Sequence, residues 1–147
     1  MRKYVIIYAY DNNQLIMVEK DRPSWQYGKL NMIGGSIEKD EEIIEAAIRE
    51  LKEEAGLKPS GKATILGCLQ TNDVLVWAVK IPVEKNKIKP RAGETELPIW
   101  MTLEEALKDI RLIPNLNIIL PLMAHNVIGW TLNLIVENDF RFLLALD

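Results

Sequence analysis

Glu50, Glu53 and Glu54 fall within five consecutive residues of Arg49-Glu50-Leu51-Lys52-Glu53-Glu54, a spacing that chemistry can use. The segment around them, Glu41 to Ala55, places Ile44, Ala47, Ile48, Leu51 and Ala55 at i, i+3, i+4, i+7 and i+11. That period predicts a helix with one apolar stripe, ended by Gly56. On a helix advancing about 100° per residue, the three glutamates sit roughly 80–180° from the centre of the stripe, together on the other face. Glu50 and Glu54 are i, i+4 neighbours and Glu50 and Glu53 i, i+3 neighbours, so their carboxylates can converge. Like charges so placed repel, and a divalent cation relieves the repulsion. Mg²⁺, or alternatively Mn²⁺, prefers the oxygen ligands they offer. Arg49, four residues before Glu53, is close enough to orient that carboxylate.

The rest of the composition narrows the chemistry. One cysteine, Cys68, and one histidine, His125, cannot build an internal disulfide or a zinc site of the usual kind, so a metal has to be held by oxygen. Lys and Arg number 18 against 21 Asp and Glu, a net charge of −3. Such a chain lacks the basic field of a nonspecific nucleic-acid binder, and no stable nucleic-acid partner is expected. No apolar run approaches the roughly 20 residues that cross a bilayer, and Met1-Arg2-Lys3 leads into a strand-like run without a cleavage-site pattern. No membrane partner and a cytoplasmic location are therefore expected. With 147 residues, 48% of them apolar, residues 1–147 read as one domain with one sizeable core.

The elements that must position the acids follow from pattern. Tyr4 to Tyr10 and Leu15 to Glu19 read as a hairpin around Asp11-Asn12-Asn13-Gln14, and Asp21 to Gly28 as a loop. Ala63 to Thr71 and Val74 to Ile81 read as strands, followed by a Lys-rich loop from Pro82 to Gly93. Thr102 and Glu105 form a capping box that opens a second helix. A third helix is expected from Pro114 to Val127, kinked or restarted at Pro121. Thr131 to Val136 and Phe140 to Leu146 predict a C-terminal hairpin, an extension at 131–146. An isolated hairpin so rich in apolar residues has to pack on the domain or on a second copy, and a homodimer is the expectation. The order of elements indicates an α+β fold with a mixed or antiparallel sheet.

From Gly35 the sequence runs five residues to Glu41, seven more, then Arg49-Glu50-Leu51-Lys52-Glu53-Glu54-Ala55-Gly56-Leu57. This resembles the Nudix box, G-x5-E-x7-R-E-U-x-E-E-x-G-U with U aliphatic, at every defined position. With average residue usage, such a match arises by chance about once in ten million chains. The resemblance extends to a strand pair before the box, to Lys29-Leu30-Asn31 leading into Gly34-Gly35, and to an acidic loop followed by Trp100. It implies an α/β/α sandwich around a mixed β-sheet, and an enzyme that uses Mg²⁺ or Mn²⁺ to hydrolyse a pyrophosphate bond in a small nucleotide. By the same resemblance, Glu50 and Glu54 are the principal metal ligands, Glu53 a third ligand or a base, and the Gly35 carbonyl a backbone ligand. Arg49 orients the carboxylates, Glu41 steadies Arg49 or simply complements the helix dipole, and Gly56 belongs to the motif's structure. The family commonly recruits a further loop carboxylate, here Glu94 or Glu96. For the substrate, Arg22 could contact phosphate, Trp25, Tyr27 or Trp100 could stack a base, and Asn31 could bond a base edge or fix its loop. A nucleoside diphosphate linked to another moiety, such as an ADP-ribose-like compound or a dinucleoside polyphosphate, is the expected substrate. A (deoxy)nucleoside triphosphate in a pool-sanitising role is the alternative. A noncatalytic nucleotide-binding regulator would typically have lost acids that this box retains.

Overall fold

The computed structural model describes residues 1–22 and 24–133. Its centre is the strand β1 (Arg2–Asp11), whose side chains alternate between two apolar cores. Val5, Ile7 and Ala9 face one helix layer, and Ile6 and Tyr8 face the other. Along one edge β1 runs parallel to β6 (Val74–Pro82), which is paired antiparallel with β5 (Thr64–Gln70). On its other edge β1 meets β2 (Gln14–Glu19) only at the hairpin end, Tyr10 to Leu15 and Asp11 to Gln14. Beyond that point the two strands separate, and residues 30–36 fill the gap. β3 (Leu30–Asn31) pairs with β2, and β4 (Ile33–Ser36) pairs antiparallel with β1, placing Gly35 opposite Val5. β7 (Pro98–Thr102) lies on the far edge of β2, and β8 (Trp130–Asn133) runs parallel to β5.

Helix α1 (Ile43–Ala55) covers the face carrying Val5, Ile7, Ile16, Val18, Val79 and Ile81. Helices α2 (Leu103–Lys108) and α3 (Leu116–Ala124) cover the other, packing on Leu15, Met17, Leu30 and Val76. The result is the expected α/β/α sandwich around a mixed sheet. α2 opens with the expected Thr102–Glu105 capping box. α3 is shorter than its apolar pattern and keeps Pro121 inside one helix. Three strands escape the sequence reading: β3, which is only two residues long, β4, whose glycines carry no strand signal, and β7, which starts at a proline. Of the expected C-terminal hairpin, residues 131–133 lie in β8, which pairs with β5, and residues 134–146 lie outside the described residues. Among the described residues no helix is long and apolar enough to cross a membrane.

Candidate active site

Helix α1 is turned relative to the stripe read from sequence. Ala46, Ala47, Leu51 and Ala55 are fully buried, whereas Ile48 is 37% exposed. Small residues explain the rotation. Ala46 and Ala47 let the helix approach a strand that has glycines at 34 and 35, and a Cβ at Gly35 would fall on the Glu50 carboxylate. In consequence Glu50 and Glu54 do not stand on a solvated back face. They are carried into the seam between α1 and β4, with the Glu50 side chain only 13% exposed.

Arg49 organises the outer half of the site. Its Nε and Nη2 donate to the two carboxylate oxygens of Glu41 at 2.8 and 3.0 Å, and its Nη1 donates to Glu50 at 2.9 Å and Glu53 at 3.4 Å. A further bond from Nη2 to the Ser36 carbonyl, at 2.8 Å, ties the helix to the end of β4. Charge-assisted, bidentate bonding of this kind holds the guanidinium in one orientation. It lowers the Glu41 pKa, chiefly through the Arg49 hydrogen bond, and raises that of Arg49.

The inner half is short of positive charge. Burial raises the Glu54 carboxyl well above its ordinary value and the Glu50 charge raises it further, against the opposing pull of Lys20 and of a Gly34 backbone hydrogen bond. Burial also raises Glu50, opposed by Arg49, and the two carboxyl groups share a hydrogen bond.

The loop between β6 and β7 closes the site from the side. Its first part satisfies the last carbonyls of α1, with Lys89 N–H bonded to Ala55 at 2.6 Å and Arg91 N–H to Glu53 at 3.3 Å. Gly56, at φ +67°, stops the helix where a Cβ would strike the Lys89 carbonyl. The Arg91 guanidinium lies 3.7 Å from Glu53 and is 59% exposed. Glu94 follows, and its charge is felt at Glu54. Glu96 is buried and ion-paired with Lys20 at 2.8 Å.

These groups line one cleft of about 210 Å³, which brings together Arg22, Gly35, Arg49, Glu50, Glu53, Glu54, Glu94 and Glu96. Glu41 stands behind Arg49, and Gly56 stays at the helix end. Asn31 and Trp100 do not line the cleft. Asn31 is 1% exposed, its side chain donating to Gln26 and accepting from the Met32 N–H, so it fixes its loop. Trp100 packs on the α1-side core with Lys85 above its ring, and its buried Nε1 has no hydrogen-bond partner among the described residues. Trp25 belongs to a short 3-10 turn, Ser24–Gln26, and Tyr27 beside it is 74% exposed. Lys20 was missed in the sequence, and Arg91 was one member of a basic run. Neither has a local pattern, because each acquires its role from a segment more than thirty residues away.

Among the described residues no three acidic, cysteine or histidine side chains are already gathered as a ligand set. The donors nevertheless fit a hard dication by type. Every one is a carboxylate or carbonyl oxygen, and a half-buried, adjacent pair of carboxyls is where a dication would satisfy both charges in place of a proton.

Comparison with known proteins agrees with this geometry. The NUDIX domain family model matches residues 1–122. No curated sequence matches the chain. Among solved structures, a mutator MutT protein from Bacillus halodurans superposes with a TM-score of 0.71 at 17% identity, covering 87% of this chain and 86% of that one. A NUDIX hydrolase from Nitrosomonas europaea gives 0.70 at 16% identity, covering 91% and 78%. An ADP compounds hydrolase gives 0.66 at 22% identity, covering 83% and 69%.

Proposed function

The chain belongs to the NUDIX domain family, and from that premise we propose that it hydrolyses a pyrophosphate bond in a small nucleotide with the help of Mg²⁺, or of Mn²⁺ in its place. The observation that carries this reading is the half-buried Glu50–Glu54 pair, with Glu50 against Gly35 and held from outside by Arg49. Two adjacent carboxyls that resist ionisation are a poor resting state for a protein and a good seat for a cation. Glu50 and Glu54 would hold the metal, with Glu53 and the Gly35 carbonyl as further ligands. The bound ion supplies charge for phosphate oxygens and an acidified water.

The chain's own residues do the remainder. Arg49 holds Glu50 and Glu53 aimed at the cleft, while Glu41 keeps Arg49 in place. Arg22 and Arg91 offer guanidinium groups at the cleft to the phosphate chain. Of the two loop carboxylates, Glu94 is the one assigned to the reaction, as a base or an added ligand. Glu96 is engaged by Lys20 and by backbone N–H groups.

The substrate we favour is a nucleoside diphosphate joined to a second group, as in an ADP-ribose-like compound or a dinucleoside polyphosphate. Nucleoside triphosphates are the competing class. A panel of these compounds with Mg²⁺ or Mn²⁺, and products separated by chromatography, decides. AMP with a sugar phosphate supports the first class, and a nucleoside monophosphate with pyrophosphate supports the second. No turnover of any member sinks the catalytic reading.

A further inference from the structure

β2 and β7 are paired as far as Val18 and Pro98, and beyond those residues the two chains diverge into the loops that carry Arg22 and Glu94. The pairing continues there by side chain. Lys20 Nζ lies 2.8 Å from Glu96 Oε1, and the two side chains are only 10% and 7% exposed. Glu96 Oε2 accepts the backbone N–H groups of Asp21, at 2.8 Å, and Arg22, at 3.2 Å. The N–H of Glu96 itself donates to Oε1 of Glu94 at 3.2 Å. One residue thus hydrogen-bonds to both loops, to the start of the Arg22 segment and to the carboxylate of Glu94.

A buried ion pair is a costly way to join two strands, because desolvation offsets most of the attraction and apolar partners of similar volume serve as well. Stability alone therefore does not account for it. What it supplies is direction, since a carboxylate has acceptor positions for an ammonium and for two amides together. The far end of the same loop is fixed independently, by the bonds from Lys89 and Arg91 to the last carbonyls of α1. With both ends tied, the distance from Glu94 to the α1 acids is set.

Resting on the hydrolase reading above, we propose that Glu96, with Lys20, is a positioning residue: a buried clasp that sets where the Arg22 and Glu94 side chains stand over the acids of α1. It does not touch the reacting atoms.

Two double variants test this without leaving a lone buried charge. Lys20→Met/Glu96→Gln keeps an oxygen acceptor for the Asp21 and Arg22 amides, and its kcat/KM should stay within about tenfold of the parent. Lys20→Met/Glu96→Met keeps the volume but removes the acceptor. Its kcat/KM should fall about a hundredfold, through KM as Arg22 shifts and through kcat as Glu94 shifts, because the loops lose register. Amide hydrogen exchange in that variant, read with no substrate present, should be about tenfold or more faster at Asp21 and Arg22 while the β2–β7 amides stay protected. A Lys20→Met/Glu96→Gln protein whose kcat falls about a thousandfold at unchanged KM would mean that the Glu96 carboxylate acts directly, and the proposal would be wrong. Unchanged exchange at Asp21 and Arg22 in the Met/Met variant would also overturn it. If the parent turns over nothing, the hydrolase reading fails while the exchange measurement still judges the clasp.

Discussion

Glu54 concentrates the chemistry of single residues here. It lies beside Glu50 and within reach of the Gly34 backbone, and burial, more than its neighbour's charge, raises its pKa well above the ordinary value. Glu54→Gln preserves the shape and the hydrogen bond to Glu50 but removes a ligand charge. Turnover at saturating Mg²⁺ should fall by about two to three orders of magnitude, with Tm unchanged or higher. Near-parental turnover would remove Glu54 from the site. The same group sets a pH dependence whose sign can be worked out. Unfolded, Glu50 and Glu54 release their protons around the ordinary value of 4.5; folded, both hold them to higher pH. The folded state thus binds more protons above that value, and stability falls as pH rises through the folded pKa values. In chelator, Tm should decline as pH rises above about 4.5, and by more than in Glu54→Gln. Mg²⁺ should restore most at the alkaline end, where it meets two ionised carboxylates. Scanning calorimetry across that range checks both statements, and a parental Tm that climbs with pH in chelator would contradict them.

At the level of elements, the site depends on how closely α1 lies on β4. Gly35→Ala would push a methyl group into Glu50, with an expected cost of about 1–3 kcal/mol and a large loss of turnover. Thr102→Ala is the contrast. It removes the α2 cap, for which Glu105 N–H donates to the Thr102 hydroxyl at 3.1 Å, so about 1 kcal/mol should be lost with kcat unchanged. Urea denaturation and steady-state kinetics on the two proteins separate packing at the site from packing elsewhere. The same contrast explains what could be read from the sequence. The α1 helix, the β1–β2 hairpin, β5–β6 and the α2 cap rest on local period and capping, which a single chain displays. The site-bearing acids were legible as a cluster, but their orientation was not. A wheel built on Ile44, Ala47, Ile48, Leu51 and Ala55 turns Glu54 outward, because it cannot know that a diglycine strand accepts the Ala46–Ala47 face. β3 and β7 pair on β2 and β4 pairs on β1, and such pairing leaves no period in the paired segment. That Glu96 is held by Lys20, a partner 76 residues away, leaves no local trace in the sequence.

For the whole molecule, the open question is the edge of the sheet beyond β5. The family match ends at residue 122, inside α3, and β8 is added after it. β8 is well anchored. The Trp130 ring covers Gly67, where a Cβ would collide with it, and its Nε1 donates to the Val127 carbonyl at 2.9 Å. After Asn133 come Leu134, Ile135, Val136, Leu143, Leu144, Leu146 and both phenylalanines of the chain, Phe140 and Phe142. Fourteen residues of this composition are too apolar to be left in water, and an isolated pair of short strands is marginal. We propose that the chain is a homodimer, and light scattering on it should then give twice the monomer mass. Ending the chain after Asn133 keeps β8 and its tryptophan, so that protein should be monomeric, with parental Tm corrected for concentration and parental turnover per site. Ending it after Gly129 removes Trp130 from Gly67 and uncovers the edge of β5. That protein should be monomeric as well, but less stable by about 3 kcal/mol. A monomeric full chain would refute the dimer outright, whereas a chain ending at Asn133 that still dimerises would move the interface to another face.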